Sequence, residues 1–219
     1  MGDPVSTAAT GVAVAIGKEI TTTASKGIGQ TVNDMWYVVF GSKWDEKRQK
    51  KELEVANNVE KFKEEIANKS NQIPDENRIE PDIDIIGSTL DAARFRINKD
   101  EIRDMFSNLI ASAMDSSKAD DIHPSFSEMI KMLSPLDAQN LYYLYQIGAN
   151  GTISTVRLHY PNGSYTEQYS NVFLDNPEVQ DVSIISPSID NLIRLKLVNV
   201  FYDRQRSKDE LYDKHQNHV

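Results

Sequence analysis

The sequence predicts a mainly α protein, α+β overall, with a helical body and a small β element toward its C-terminus. Three observations predict it. Apolar residues recur at three- and four-residue steps as far as Ile147, which puts one buried stripe on each helix. Proline beside Ser or His marks the restarts between these runs. After Thr152 the period changes to two: Val156, Leu158 and Tyr160 alternate with Arg157 and His159, and Pro161-Asn162-Gly163 supplies a turn.

Residues 1–42 form a segment rich in small residues, with Val12, Ile16, Ile20, Ile28, Val32 and Val39 tracing one helical stripe interrupted near Gly27 and Gly29. Its aromatic end, Trp36, Tyr37 and Phe40, is the candidate contact for a protein or a membrane surface. Residues 43–80 switch to charge. Val55, Val59, Phe62 and Ile66 give a helix with one narrow apolar seam, Lys61 and Glu65 are spaced to pair across its exposed face, and Ser70–Pro81 reads as a linker.

Residues 81–150 are the expected helical core. A first helix carries Ile85, Leu90 and Phe95 inward; a second is capped by Asn98 with Glu101. Ser125 with Glu128 caps a third, and Ser134-Pro135-Leu136-Asp137 opens a fourth that stops at Gly148 or Gly151. Phe106, Leu109, Ile110, Phe126, Met129, Ile130, Leu133, Leu141 and Leu144 are expected to be mutually buried. Residues 151–219 make an α+β module: a hairpin with Val156, Leu158 and Tyr160 half-buried, a helix opened by Ser186-Pro187, a strand at Leu197–Asp203 and a last polar helix capped by Ser207 with Glu210.

Few chemistries fit these residues. The absence of cysteine excludes disulfides, thiolate metal sites and a cysteine nucleophile. No phosphate loop or nucleophile elbow is present, and Gly27-Ile28-Gly29 lacks both a third glycine and a preceding strand. Asp115, Asp120, Asp121 and His123 could be imagined around a cation, yet their spacing follows no EF-hand or zinc template. His123-Pro124 is expected instead to end a loop and start a helix that the His123 side chain can cap. No catalytic residue, metal or cofactor is therefore expected. Asp3 and the short Val12–Ile16 block do not make a secretory signal, and no run reaches the ~18–20 apolar residues of a membrane span. A cytoplasmic location is expected, with peripheral contact at the inner membrane as the alternative.

Helix, strand, then a capped helix running into a strand is the order of a winged-helix-like module, whose helix at Pro187–Lys196 would face a DNA groove. Its outward cations are Arg194 and Lys196. Two cations beside Asp190, on a chain of net charge −9, make a thin footprint for a ligand held through its phosphates. Nucleic acid is not the expected partner, and the module is expected to serve as a packing scaffold.

Several blocks together resemble the abortive infection alpha family of bacterial proteins. They are Trp36–Gly41 ahead of the charged helix, Pro81, the run Glu101–Met114, His123-Pro124-Ser125-Phe126, Leu133–Ala138 and Asn191–Val198. The resemblance implies phage defence, in which an infected cell stops growing or dies, and it transfers no catalytic residue. It also implies a further strand after the last block, so the C-terminal module is expected to be incomplete. A non-enzymatic protein acting through a protein partner or self-association is the reading that follows. A membrane-acting toxin using residues 5–41, and a nucleic-acid-binding regulator using Arg194 and Lys196, are the alternatives.

Overall fold

A computed structural model describes residues 49–148, 151–204, 207 and 209–216. The candidate contacts Trp36, Tyr37 and Phe40 lie outside the described residues. The fold is mainly helical with one two-stranded antiparallel sheet. The chain divides into two compact units that meet between Met132 and Leu133.

The first unit contains α1 (Gln49–Asn71), α2 (Ile83–Ala93), α3 (Asp100–Ala113) and α4 (Ser125–Lys131). Helix α3 packs against α1, α2 and α4, so its broad apolar stripe is the hub. Ile102, Phe106 and Ile110 are fully buried on it, and Leu109 nearly so. The seam of α1 lands as its spacing predicts, with Val59, Phe62 and Ile66 buried. Ile86, Leu90 and Ala93 of α2 and Ile130 of α4 complete the core.

Charges are buried beside this core only where they are paired. The Arg103 guanidinium donates from Nε to Glu65 at 2.8 Å, and from Nη1 to Asp100 at 2.7 Å and to the Ile97 carbonyl at 3.1 Å. Glu65 thus reaches across to α3 rather than along its own helix. Lys69 of α1 bonds the Ser107 hydroxyl of α3 at 2.8 Å. The stretch read as a linker is tied down as well. The Ile79 amide donates to the Met114 carbonyl and the Ser116 amide to the Asn77 carbonyl, with Ile73 and Pro81 buried.

Three local expectations are corrected here. Helix α2 ends at Ala93, which leaves Phe95 outside it and 72% exposed under the Arg94 guanidinium. Helix α3 starts at Asp100 after Lys99, with no side-chain cap from Asn98; Asp100 and Glu101 instead meet the positive end of the helix dipole. Ser125 is the first residue of α4 rather than its cap. Its amide and hydroxyl both bond His123 Nδ1, at 3.1 and 2.8 Å, so the histidine supplies the acceptor expected of the serine. That rotation turns Phe126 outward and leaves Met129 half-buried, against the expected core.

The second unit contains α5 (Pro135–Ile147), β1 (Ser154–His159), β2 (Tyr165–Val172), α6 (Val182–Arg194) and the short α7 (Asp213–Gln216). Helix α5 opens with a full capping box: Ser134 Oγ accepts from the Asp137 amide, and the Asp137 carboxylate accepts from the Ser134 amide. It ends at Gly148, whose φ of +60° suits a residue without Cβ. Leu133 is buried, while Leu141 and Leu144 are only half-buried, so the nine-residue core expected from sequence is split between the units.

Helix α6 packs against α5 and β2 and buries Ile185, Ile189 and Leu192. It starts one turn earlier than Ser186-Pro187 suggests, because Asp181 caps it by accepting from the Ser183 amide and hydroxyl at 2.9 and 2.6 Å. Pro187 therefore sits inside the helix, without an N–H for the Ser183 carbonyl. Beyond α6, the expected strand at Leu197–Asp203 is turn and irregular chain. Apolar, β-branched composition does not make a strand without a partner to share its hydrogen bonds. The last polar helical segment is a 3-10 turn at Asp209–Tyr212 that leads into α7.

Hydrogen bonds set the acid response. The Asp115 carboxylate accepts from the Ser117 hydroxyl at 2.6 Å and from its amide at 3.0 Å, and Asp181 is held the same way by Ser183. These bonds favour the ionised forms and lower both carboxyls below the usual value of 3.8. A lowered folded-state pKa adds stability that is fully present above about pH 4 and lost as pH falls through the folded value. Acid titration of unfolding should therefore show a flat region near neutrality and a decline below about pH 4. Asp115→Asn and Asp181→Asn should each flatten that decline, which circular dichroism can follow.

Candidate interaction surface

The β hairpin of the second unit exposes several large apolar side chains. Its turn is built locally. Asn162 Oδ1 accepts from the Ser164 amide at 3.0 Å and its hydroxyl at 2.7 Å, and Gly163 takes a φ of +84°, which a side chain would strain. Strand pairing then runs His159 with Tyr165, Leu158 with Thr166, Arg157 with Glu167 and Val156 with Tyr169. Gln168 is left over as a bulge between the last two pairs.

Alternation gives the hairpin two different faces. One carries Arg157, His159, Tyr165 and Glu167. Arg157 bonds Glu167 at 2.9 Å and lies 4.5 Å from the Tyr165 ring centre, so this face satisfies its own charges. The other carries Val156, Leu158, Tyr160 and Thr166. Its apolar members are 38%, 50% and 44% exposed, in that order. The half-buried strand predicted from alternation is thus corrected: beyond its base, β1 has water on both faces. A two-stranded hairpin is marginal on its own and gains stability from a further strand or a packed face.

Its base, by contrast, is firmly held. Val172, Phe173 and Leu174 are buried where β2 meets α6. Ser186 donates to the Ser170 carbonyl at 2.5 Å, and Asn171, at a φ of 54°, donates to Asp190 at 2.7 Å while accepting from the Tyr202 hydroxyl at 2.9 Å. A buried triad lies behind these: Asn140 Nδ2 donates to Ser188 Oγ at 3.0 Å, and Asn140 Oδ1 accepts from Asn176 at 2.8 Å.

The chain end is tied to the same base. Thr152 donates its hydroxyl proton to the Leu211 carbonyl, so its oxygen must accept from His215 Nε2 at 3.2 Å. His215 Nδ1 lies within hydrogen-bond distance of Ser154 Oγ, at 2.8 Å. Lys214 pairs with Asp175. Sequence reasoning gave His215 no partner, because Ser154 lies 61 residues away. The arrangement fastens α7 to β1, with a threonine where a catalytic histidine would have a carboxylate.

The weak nucleic-acid candidates are placed as follows. Arg194 folds back onto Asn191 Oδ1, at 2.7 and 3.1 Å. Lys196 sits past the end of α6 at a φ of 61°, in a Schellman turn closed by the Leu197 amide on the Leu192 carbonyl. Among the described residues, no three His, Cys, Asp or Glu side chains converge as a metal site. His123 is engaged with Ser125, and Asp115 with Ser117 and Lys118. No helix among the described residues is long and apolar enough to cross a membrane.

Fold and surface together define a two-unit helical protein with one partly solvated hairpin. The family model of abortive infection alpha matches residues 54–219, which is most of the chain, and the protein belongs to that family. Its role is accordingly one in abortive infection, a defence against bacteriophage. Neither curated proteins nor solved structures give a match.

Proposed function

We propose that the protein acts in abortive infection without catalysing a reaction, by protein–protein contact through the hairpin of its C-terminal unit, in the cytoplasm. The observation that carries this reading is the apolar face Val156, Leu158 and Tyr160, displayed in water on a hairpin whose base is rigidly anchored. Rigid anchoring with an exposed apolar tip suits recognition, since little freedom is lost on docking. The surface cations give less support to a nucleic-acid partner, because Arg194 is already engaged by Asn191.

Plating of phage on cells expressing variants tests it. Leu158→Lys and Leu158→Thr alter an exposed position and should change stability by no more than about 0.5 kcal/mol. Both should reduce protection strongly while the helical circular dichroism stays at its wild-type value. Full protection by both variants would contradict the proposal.

A further inference from the structure

We propose that the partner of the hairpin is a second copy of the same chain, added edge to edge along β1 to make a four-stranded antiparallel sheet. This deepens, and rests on, the protein-contact reading above. Among the described residues the sheet has only two strands, and none of these residues forms a strand beside the outer edge of β1. The Tyr160 amide bonds the Ser164 carbonyl, which points the hydrogen-bonding groups of Tyr160 toward β2. By alternation, the amides and carbonyls of Arg157 and His159 point away from it.

One two-fold arrangement satisfies these groups. With the axis at Leu158, Arg157 of each copy exchanges two backbone hydrogen bonds with His159 of the other, four in all by the rule of antiparallel pairing. Leu158 then meets Leu158, and Val156 meets Tyr160, all on one face. Aromatic with β-branched and aliphatic pairs are the favourable cross-strand contacts of a sheet. The apolar residues now in water would form one continuous surface across the pair.

Other registers are poorer. An axis at Arg157 sets two guanidinium groups opposite each other. Pairing along β2 centres on Thr166 instead of an aliphatic residue and runs into the Gln168 bulge. The β1 edge carries Arg157 as its one permanent charge, and that side chain is occupied by Glu167 of its own hairpin. Such an edge is only lightly guarded against a further strand.

The lack of cysteine makes a direct test available. In the proposed register the two Leu158 positions form a non-hydrogen-bonded pair, with Cα atoms about 4.5 Å apart, within reach of a disulfide. Full-length Leu158→Cys should therefore cross-link to a covalent dimer under mild oxidation several-fold faster than Thr166→Cys, placed on the same face of β2. Wild-type protein should sediment as a dimer, and Leu158→Lys as a folded monomer. Equal cross-linking of the two cysteine variants, or a monomeric wild type at every accessible concentration, would overturn self-pairing. If the wild type is monomeric and Leu158→Lys still abolishes phage protection, only self-pairing falls. If Leu158→Lys protects fully, the protein-contact reading falls with it.

Discussion

Replacing Phe106 by alanine is expected to destabilise the N-terminal unit by about 3–5 kcal/mol. The ring is wholly buried on α3, the helix that packs against α1, α2 and α4, so its loss leaves a cavity facing several helices at once. Phe62, Ile86, Leu90 and Ile102 of the same unit are also fully buried, and a core packed this closely relaxes only in part around a lost ring. Domains are stable by only about 5–15 kcal/mol, so one such change consumes a large share. Denaturant unfolding should show a lower midpoint with an unchanged slope for this unit. A cost below about 1 kcal/mol would mean that the α3 hub is not the centre of the core.

Asn140→Ala is expected to have the second largest effect, about 2–4 kcal/mol on the C-terminal unit, because a stranded buried polar group costs about 1–3 kcal/mol. Asn140 is fully buried, and its amide links Ser188 of α6 to Asn176 in the segment after β2. Removing it strands the Asn176 amide and deprives Ser188 of a donor in a region closed to water. The unit should lose stability while the N-terminal unit keeps its own, which hydrogen exchange resolves residue by residue. Replacing Asn140, Asn176 and Ser188 together by apolar residues should cost less than the single change, since nothing polar is then left unpaired.

The elements legible in the sequence are those fixed by nearby residues. Ser134-Pro135 with Asp137 in the first turn signals a helix start, and the structure opens α5 there, closing it with a capping box. The seam Val59, Phe62 and Ile66 and the stripe of α3 follow from helical period alone. Local signals also misled. Ser186-Pro187 has the form of a helix start, yet Asp181 five residues earlier caps the helix and draws the proline into its second turn. Leu197–Asp203 has strand composition but no partner strand among the described residues.

Burial was less legible than element type. Alternation at Val156, Leu158 and Tyr160 correctly gives a strand, but period two cannot say whether anything covers the apolar face. Long-range polar contacts were invisible for a different reason. Asn140 and Ser188 stand 48 residues apart, and Ser154 and His215 stand 61 apart, so no spacing rule joins them. Of the residues singled out for contact, Arg194 and Lys196 are placed at the end of α6, where Asn191 and a tight turn account for their conformations.

The central claim is that the hairpin face, rather than the cationic end of α6, carries the defence function. Phage plating on cells producing equal amounts of folded Leu158→Lys or Arg194→Ala/Lys196→Ala compares the two surfaces directly. The expected result is loss of protection with the hairpin variant and wild-type protection with the double variant. The opposite pattern would contradict the claim and make the end of α6 the working surface.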